Sequence, residues 1–468
     1  MKDFYIENLG CAKNQVDAEI MVSALSQAGW NYINDPAEAD VIIINTCGFI
    51  QTAKEESLQT IIAFRRNYPD ARIIATGCLS QRYGRELLQS LPEADAFFGN
   101  RAPSRIVSFL KRLEGAGQTE EVGRSGSDLG LSDNKRPENV LIDLDEEPGD
   151  YLRRRQLLGF PRSAFLKIAE GCDNNCAYCA IPQIRGRLRS RSMEDVLSEL
   201  RGLVEGNIYE INLIAQDLAS FGKDRGRSEF PQLLKRLARE EGDFRLRLLY
   251  IYPEHFDMEI TEICAEEPRV YPYFDLPFQH AAESILRAMG RPGSSDFYLD
   301  LIESIRKRLP DAVFRSSFIL GFPGEEEKEF EELLNFLKAA QLDWAGFFQY
   351  SPEEGTPAYR LYGEDVKITP LEIEERFARL QSIQEKISSV RMSRFTGRTM
   401  DVLVEEKIEG TELSLGRAFP QAPEVDGSVV LRGGRLNPGD VCKVRIVRNA
   451  GIDLDAMFLE SISQQFSS

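Results

Sequence analysis

The sequence predicts an α/β protein in three blocks: an N-terminal open parallel α/β domain, a central partial (β/α) barrel and a small C-terminal antiparallel β-barrel. Three observations lead there. Apolar runs alternate with helical stretches from residue 4 to about 90. The same strand-then-helix rhythm returns over about residues 160–390, and short strands between Gly/Pro turns close the chain.

In the first block Phe4-Tyr-Ile-Glu-Asn is strand-like, and Val16, Ile20, Leu25 and Ala28 mark a helix over 14–28. Val41-Ile-Ile-Ile-Asn has the continuous apolar character of a buried parallel strand. A helix near 52–67, the strand Arg72-Ile-Ile-Ala-Thr and a helix over 80–90 complete a βαβαβα pattern. The block is expected to end near residue 132. A polar, Gly/Ser-rich stretch over 114–136 reads as linker, within a connecting region of about 114–160, and Arg153-Arg-Arg reads as a solvated surface run.

The second block, 160–393, offers strands at Ala164–Ala169, Glu210–Ala215, Arg245–Tyr250, Tyr273–Leu276, Val313–Leu320 and Trp344–Gln349. Helices are expected at 192–205, 282–289 and 325–340. In such folds chemistry sits at the carboxyl ends of the strands. The third block, 394–462, alternates around Met400–Glu405, Val429–Leu431 and Val441–Val447. From Arg394 onward it carries nine Lys and Arg against eleven Asp and Glu, a net −2. A domain dedicated to RNA should be basic.

The whole chain has 468 residues and a formal charge of −18, which opposes a broad nucleic-acid surface and suits a basic partner. The start, Met1-Lys-Asp-Phe-Tyr-Ile-Glu, has no signal-peptide pattern, and no apolar stretch nears the roughly 20 residues of a membrane helix. A cytoplasmic protein without membrane contact is expected. In that compartment the eight cysteines are metal ligands or buried thiols rather than disulfides.

Six of them form two sets. Cys172, Cys176 and Cys179 make a Cys-x3-Cys-x2-Cys run directly after the first strand of the second block. Three thiolates can hold three corners of a cubic iron–sulfur cluster and leave one iron open for a small molecule. Zinc sites favour four ligands in Cys-x2-Cys pairs, and electron-transfer clusters a full four cysteines. Cys11, Cys47 and Cys78 each follow a strand of the first block beside a Gly. Ligands bind along that edge of open α/β sheets, so these three thiolates could hold a second cluster. Cys264 and Cys442 read as core thiols.

The run after a first barrel strand resembles the signature of radical S-adenosylmethionine (SAM) enzymes. With the earlier cysteine set and the terminal β-domain, the whole chain resembles the methylthiotransferases, which join a methylthiotransferase domain, a radical-SAM barrel and a TRAM domain. Gly10-Cys-Ala-Lys-Asn-Gln-Val-Asp-Ala-Glu19, Asn45-Thr-Cys-Gly-Phe-Ile50, Asp275-Leu-Pro-Phe-Gln-His280 and Arg291-Pro-Gly-Ser294 are similar to the ribosomal-protein (RimO-type) branch. Ala12 departs from it, standing where that branch commonly has Pro.

The resemblance implies two 4Fe–4S clusters, SAM and an external electron donor. The Cys172 set would cleave SAM to a 5′-deoxyadenosyl radical, and the Cys11 set would carry the inserted sulfur. The acceptor would be an aspartate β-carbon on small-subunit ribosomal protein twelve, free or on the ribosome, giving 3-methylthioaspartate. Tyr178 matches the aromatic position beside the adenine, and Gln216, Ser316, Gly321 and Tyr350 are strand-end candidates for the rest of SAM. No catalytic side chain beyond the cluster ligands is expected. Two rivals remain: a tRNA adenosine (2-methylthio) methylthiotransferase and a non-catalytic iron–sulfur or zinc protein. The third block is expected to be separable, so that its removal spares SAM cleavage.

Overall fold

A computed structural model describes residues 2–118, 140–141, 154, 156–363 and 368–462. The chain forms two compact units. The first comprises Met1–Leu158 with Glu170–Asp173 and Ala180–Arg191; the second comprises Gly159–Ala169, Asn174–Cys179 and Ser192–Ser468.

In the first unit β1 (Asp3–Asn8), α1 (Ala12–Gln27), β2 (Asn31–Tyr32), β3 (Val41–Thr46), α2 (Gln51–Asn67), β4 (Arg72–Gly77), α3 (Cys78–Ser90), β5 (Ala96–Phe98), α4 (Ile106–Gln118) and β6 (Val140–Leu141) follow in order. The sheet runs β2-β1-β3-β4-β5-β6, all parallel. Strand β3 is buried throughout, as its apolar run requires. Val41 and Ile43 pack on one face with α1 and α4, while Ile42 and Ile44 pack on the other with Ile61 of α2 and Leu88 of α3. The chain steps from β1 outward to β2 and then crosses past β1 to β3, so the order reverses between β1 and β3. That reversal opens a crevice at the carboxyl ends of the two strands.

Two expectations for this unit change. Helix α4 continues to Gln118, into the stretch read as linker; the remainder of 114–136 lies outside the described residues. Arg154 is not solvated: it is buried against the Glu19 carboxylate, which also accepts the Leu158 N–H at 3.0 Å. A guanidinium next to a buried carboxylate avoids the cost of leaving that charge unpaired. Arg153 and Arg155 lie outside the described residues.

The second unit opens with β7 (Ser163–Lys167). The short pieces β8 (Ala169–Glu170), α5 (Ile181–Arg185) and β9 (Arg189–Ser190) then precede α6 (Met193–Glu205), β10 (Glu210–Ile214), α7 (Phe230–Ala238), β11 (Arg245–Leu249), α8 (Glu259–Glu266) and β12 (Val270–Asp275). After them come α9 (Glu283–Ala288), α10 (Ser295–Arg308), β13 (Val313–Leu320), α11 (Glu327–Ala340), β14 (Trp344–Gln349), α12 (Pro357–Tyr362) and α13 (Pro370–Ser393). The parallel sheet β14-β13-β12-β11-β10-β7 is an open partial barrel. Helix α13, with its capping box at Thr369 and Glu372, was not anticipated.

Five further strands close a barrel: β15 (Thr399–Lys407), β16 (Leu413–Arg417), β17 (Val429–Arg432), β18 (Val441–Ala450) and β19 (Asp453–Ser461), in the order β15-β16-β17-β19-β18. It is antiparallel except for the parallel β17/β19 pair. This barrel is not an independent appendage. Glu210, at the start of β10, takes Arg247 of β11 at 2.7 Å and Arg417 of β16 at 2.5 Å, all buried. Arg247 also donates to the Phe419 carbonyl at 2.7 Å, and Trp344 Nε1 to that of Pro420 at 2.7 Å. Removing the third block would take Arg417 from Glu210 and the Phe419 carbonyl from Arg247, although those two side chains would keep each other, so buried polar contacts join this barrel to the sheet. Cys264 in α8 and Cys442 in β18 are buried, as core thiols should be.

Candidate iron–sulfur and SAM site

The first cysteine set lies along one edge of the first unit. Cys11 caps α1, Cys47 follows β3 and Cys78 opens α3 directly after β4, so Cys11 and Cys47 flank the sheet's switch point. The glycine beside each is sterically required. A Cβ on Gly10 would fall 2.1 Å from Asn14 Nδ2, one on Gly48 2.6 Å from the Leu79 nitrogen, and one on Gly77, whose φ is +92°, 2.4 Å from the Thr46 carbonyl. Glycine at 48 and 77 lets those loops approach this closely, and at 10 it leaves room for the Asn14 side chain.

Asparagine side chains fix those loops. Asn14 Nδ2 donates to the Thr46 carbonyl at 3.0 Å, and Asn45 Nδ2 to Asn8 Oδ1 at 2.8 Å and the Asn14 carbonyl at 2.7 Å. The buried Arg185 guanidinium reaches Asp17 and Glu170, each at 3.0 Å, and Asn14 Oδ1 at 2.6 Å.

The thiols feel one another electrostatically. Burial pushes Cys78 up to about 12, with the charges of Cys11 and Cys47 adding to the rise and Arg185 opposing it. Burial and Cys11 also raise Cys47, against the Phe49 N–H and Arg185. Cys11 is exposed at its surface, yet its packed surroundings oppose ionisation. Lys13, Arg185 and the N–H groups of Asn14 and Lys13 overcome that and lower the thiol below its ordinary value. Among the described residues no three His, Cys, Asp or Glu groups converge on a single metal ion. A cluster makes no such demand, because each thiolate takes a different iron. None of the six forms a disulfide.

The Cys172–Cys179 loop follows β7 and is held piecewise. In the first unit the Cys172 N–H donates to the Gly186 carbonyl at 3.2 Å, and Gly171 (φ +74°) has no room for a Cβ beside the Arg187 carbonyl. In the second unit the Ala177 N–H donates to Met289 at 2.8 Å and the Cys179 N–H to the Cys176 carbonyl at 3.1 Å. Cys176 Sγ lies 3.8 Å from the Tyr252 hydroxyl. Beneath it Arg291 pairs with Glu254 at 2.8 Å and lies 4.0 Å from the Tyr252 ring centroid, and Tyr298 donates to Glu254 at 2.6 Å. Burial and the Cys176 charge raise Tyr178 well above the ordinary phenol range, with Arg291 opposing.

The strand-end candidates divide. Tyr178 and Tyr350 share one apolar cluster with Phe322, Ile285 and Met289. The Tyr350 hydroxyl is buried without a hydrogen-bond partner among the described residues, an orphan that a bound polar molecule would satisfy. Gly321 (φ +73°) follows β13 and donates its N–H to Glu325 at 2.9 Å. Gln216 precedes Asp217, which takes His255 Nδ1 at 2.9 Å, Ser220 at 2.5 Å and Asn174 at 3.2 Å. Ser316 is not at a strand end. It is the fourth residue of β13, and its hydroxyl accepts the Phe278 N–H at 3.0 Å. Tyr250 and Gln279, just past β11 and β12, adopt positive φ of 69° and 70°. Such strain, about 1–3 kcal/mol each, concentrates at functional edges.

The comparisons with known proteins agree with this geometry. Residues 3–99 match the uncharacterized protein family UPF0004, residues 166–337 the Radical SAM superfamily and residues 396–458 the TRAM domain. The ribosomal protein uS12 methylthiotransferase RimO of Treponema denticola is 40% identical over 96% of this chain and 99% of its own length. The chain belongs to the RimO family. The RimO proteins of Moorella thermoacetica (43% identical, 94% of this chain and 95% of that one) and Aquifex aeolicus (39%, 99% of each) are similar throughout. The radical S-adenosylmethionine methyltransferase TsrM of Kitasatospora setae shares the fold, with a TM-score of 0.53 at 16% identity over 78% of both chains. As a RimO-family member the chain is a radical-SAM enzyme of the methylthiotransferase kind. No described helix is long and apolar enough to cross a membrane.

Proposed function

We propose that this chain converts an aspartate of ribosomal protein uS12 to its 3-methylthio derivative in the cytoplasm, using SAM, two 4Fe–4S clusters and an external electron donor. The observation that carries the reading is the placing of Cys11, Cys47 and Cys78 along one edge of a parallel sheet, beside its switch point, each next to a glycine that packing demands. These three residues would hold the sulfur-bearing cluster, and Cys172, Cys176 and Cys179 the SAM-cleaving one. When bound, the clusters and SAM supply a carbon-centred radical and an activated sulfur, chemistry that side-chain acids and bases cannot perform.

The protein's own share is placement. Arg291 and Glu254 hold Tyr178 and Tyr252 beside the Cys176 loop. Tyr350 and Gly321 offer an orphaned hydroxyl and an open backbone turn to SAM, Gln216 borders from β10, and Ser316 acts by fixing the backbone of Phe278. The apolar cluster around Tyr178 excludes water.

A basic protein as acceptor is favoured over tRNA by the charges of the last barrel. Six of the nine Lys and Arg from Arg394 onward, Arg394, Arg398, Arg417, Arg432, Lys443 and Arg448, pair with carboxylates, and the block as a whole carries a net −2. The test offers the reconstituted enzyme purified uS12 and undermodified tRNA and locates the methylthio group by mass spectrometry. Modified aspartate on uS12 is expected. A methylthio adenosine with uS12 untouched would overturn the assignment.

A further inference from the structure

Arg185 is nearly fully buried, six residues beyond Cys179, and ends the one-turn helix α5. Two carboxylates meet this single guanidinium, Asp17 Oδ2 and Glu170 Oε1 at 3.0 Å each, so its charge is secured and its orientation fixed. Both carboxylates lie against Nη1, while Nη2 donates to Asn14 Oδ1 at 2.6 Å and lies 3.8 Å from Cys78 Sγ. Asn100 Nδ2 approaches the same sulfur at 3.4 Å, and the Cys78 thiol donates to Asn14 Oδ1 at 3.4 Å. Once Cys78 ligates iron it loses that proton. Its sulfur then only accepts, and Arg185 and Asn100 are the donors already in place.

We infer that Arg185 is a positioning residue that donates to the Cys78 thiolate and sets the reduction potential of the cluster held by Cys11, Cys47 and Cys78. The inference rests on the cluster assignment proposed above. A cationic donor on a ligating sulfur stabilises the more negative, reduced cluster and so raises its potential. An ion bridge that served folding alone would leave the potential unaffected.

The experiment measures midpoint potentials by redox titration with electron paramagnetic resonance on the full chain, anaerobically reconstituted. Two variants are compared with wild type. Arg185→Lys keeps the charge on a compact ammonium that cannot fork between Asn14 and Cys78. Arg185→Gln with Glu170→Gln removes one charge of each sign, so no added carboxylate is stranded. Wild-type iron and sulfide content is expected in both, with a lower potential for the Cys11/Cys47/Cys78 cluster. The shift should be larger in the double variant, and the Cys172/Cys176/Cys179 cluster should serve as an unshifted internal reference. Unchanged potentials in both loaded variants would overturn the inference. Iron content indifferent to replacing Cys11, Cys47 and Cys78 by Ala would instead overturn the cluster assignment itself.

Discussion

The two cysteine sets reach similar ends by opposite routes. Cys172, Cys176 and Cys179 are near one another because eight residues of chain contain them all. Cys11, Cys47 and Cys78 span 68 positions of numbering and meet only because parallel strands end on the same edge. The first set is therefore brought together by spacing within one loop, which a distant contact, the Ala177 N–H to the Met289 carbonyl, then anchors. The second is specified by topology, and it depends on whatever lets separate loops approach. A local site should tolerate changes elsewhere in the fold, whereas a topological one should fail when its scaffold shifts.

The largest effect that would break this contrast comes from removing each set. Replacing Cys172, Cys176 and Cys179 by Ala should abolish SAM cleavage and one cluster while leaving the other. Replacing Cys11, Cys47 and Cys78 should keep SAM cleavage and lose all methylthio product. Iron and sulfide analysis with electron paramagnetic resonance decides it; either variant losing both clusters while folded would mean the two sets are one site.

A smaller change sharpens the contrast. Gly77→Ala puts a Cβ against the Thr46 carbonyl at a φ of +92°, and this should cost about 1–3 kcal/mol. The Cys11 set should lose most of its iron and the Cys172 set keep its own, read by cluster-specific spectroscopy. Equal iron loss at both would contradict the distinction. In the second unit, Arg247→Met removes one of the two guanidiniums on Glu210 and should destabilise that unit by about 1–3 kcal/mol, seen as a lowered urea midpoint.

The smallest effect is a pH dependence. Glu210 is buried, a cost that the charges and hydrogen bonds of Arg417 and Arg247 outweigh, so its pKa falls from 4.5 to about 2. A carboxylate lowered on folding contributes stability that is fully present above its unfolded value and lost as pH falls from about 4.5 toward 2. Acid titration of the metal-free second unit's unfolding should show that loss, and Glu210→Gln should flatten it. An unaltered acid limb in Glu210→Gln would remove Glu210 from the account.

Much of this was legible because it is periodic or local. The apolar run of β3, the six barrel strands and the Cys-x3-Cys-x2-Cys spacing each announce themselves within a few residues. The glycines beside Cys11, Cys47 and Cys78 were visible too, though their steric necessity comes from partners such as Leu79 and Thr46 that only folding supplies. Arg185, Arg154 and Arg291 were not legible. A charged residue looks solvated until its carboxylate arrives from a distant segment, as Glu19 does for Arg154, 135 residues away. Arg291 lay inside a recognised word, Arg291-Pro-Gly-Ser294, but nothing local tied it to Glu254 or Tyr252. Ser316 was read as lying at a strand end, but it sits inside β13, where its hydroxyl accepts the Phe278 N–H.

The Glu210 carboxylate, gripped at once by Arg247 and Arg417, bears on how the gene can be rearranged. A recombination event that joined this C-terminal barrel to a relative's α/β barrel, with a breakpoint near residue 394, would inherit Arg417 without a guarantee of a carboxylate at position 210. The three positions should consequently drift together or not at all across descendants, and functional chimaeras should be those whose crossover carries all three from one parent.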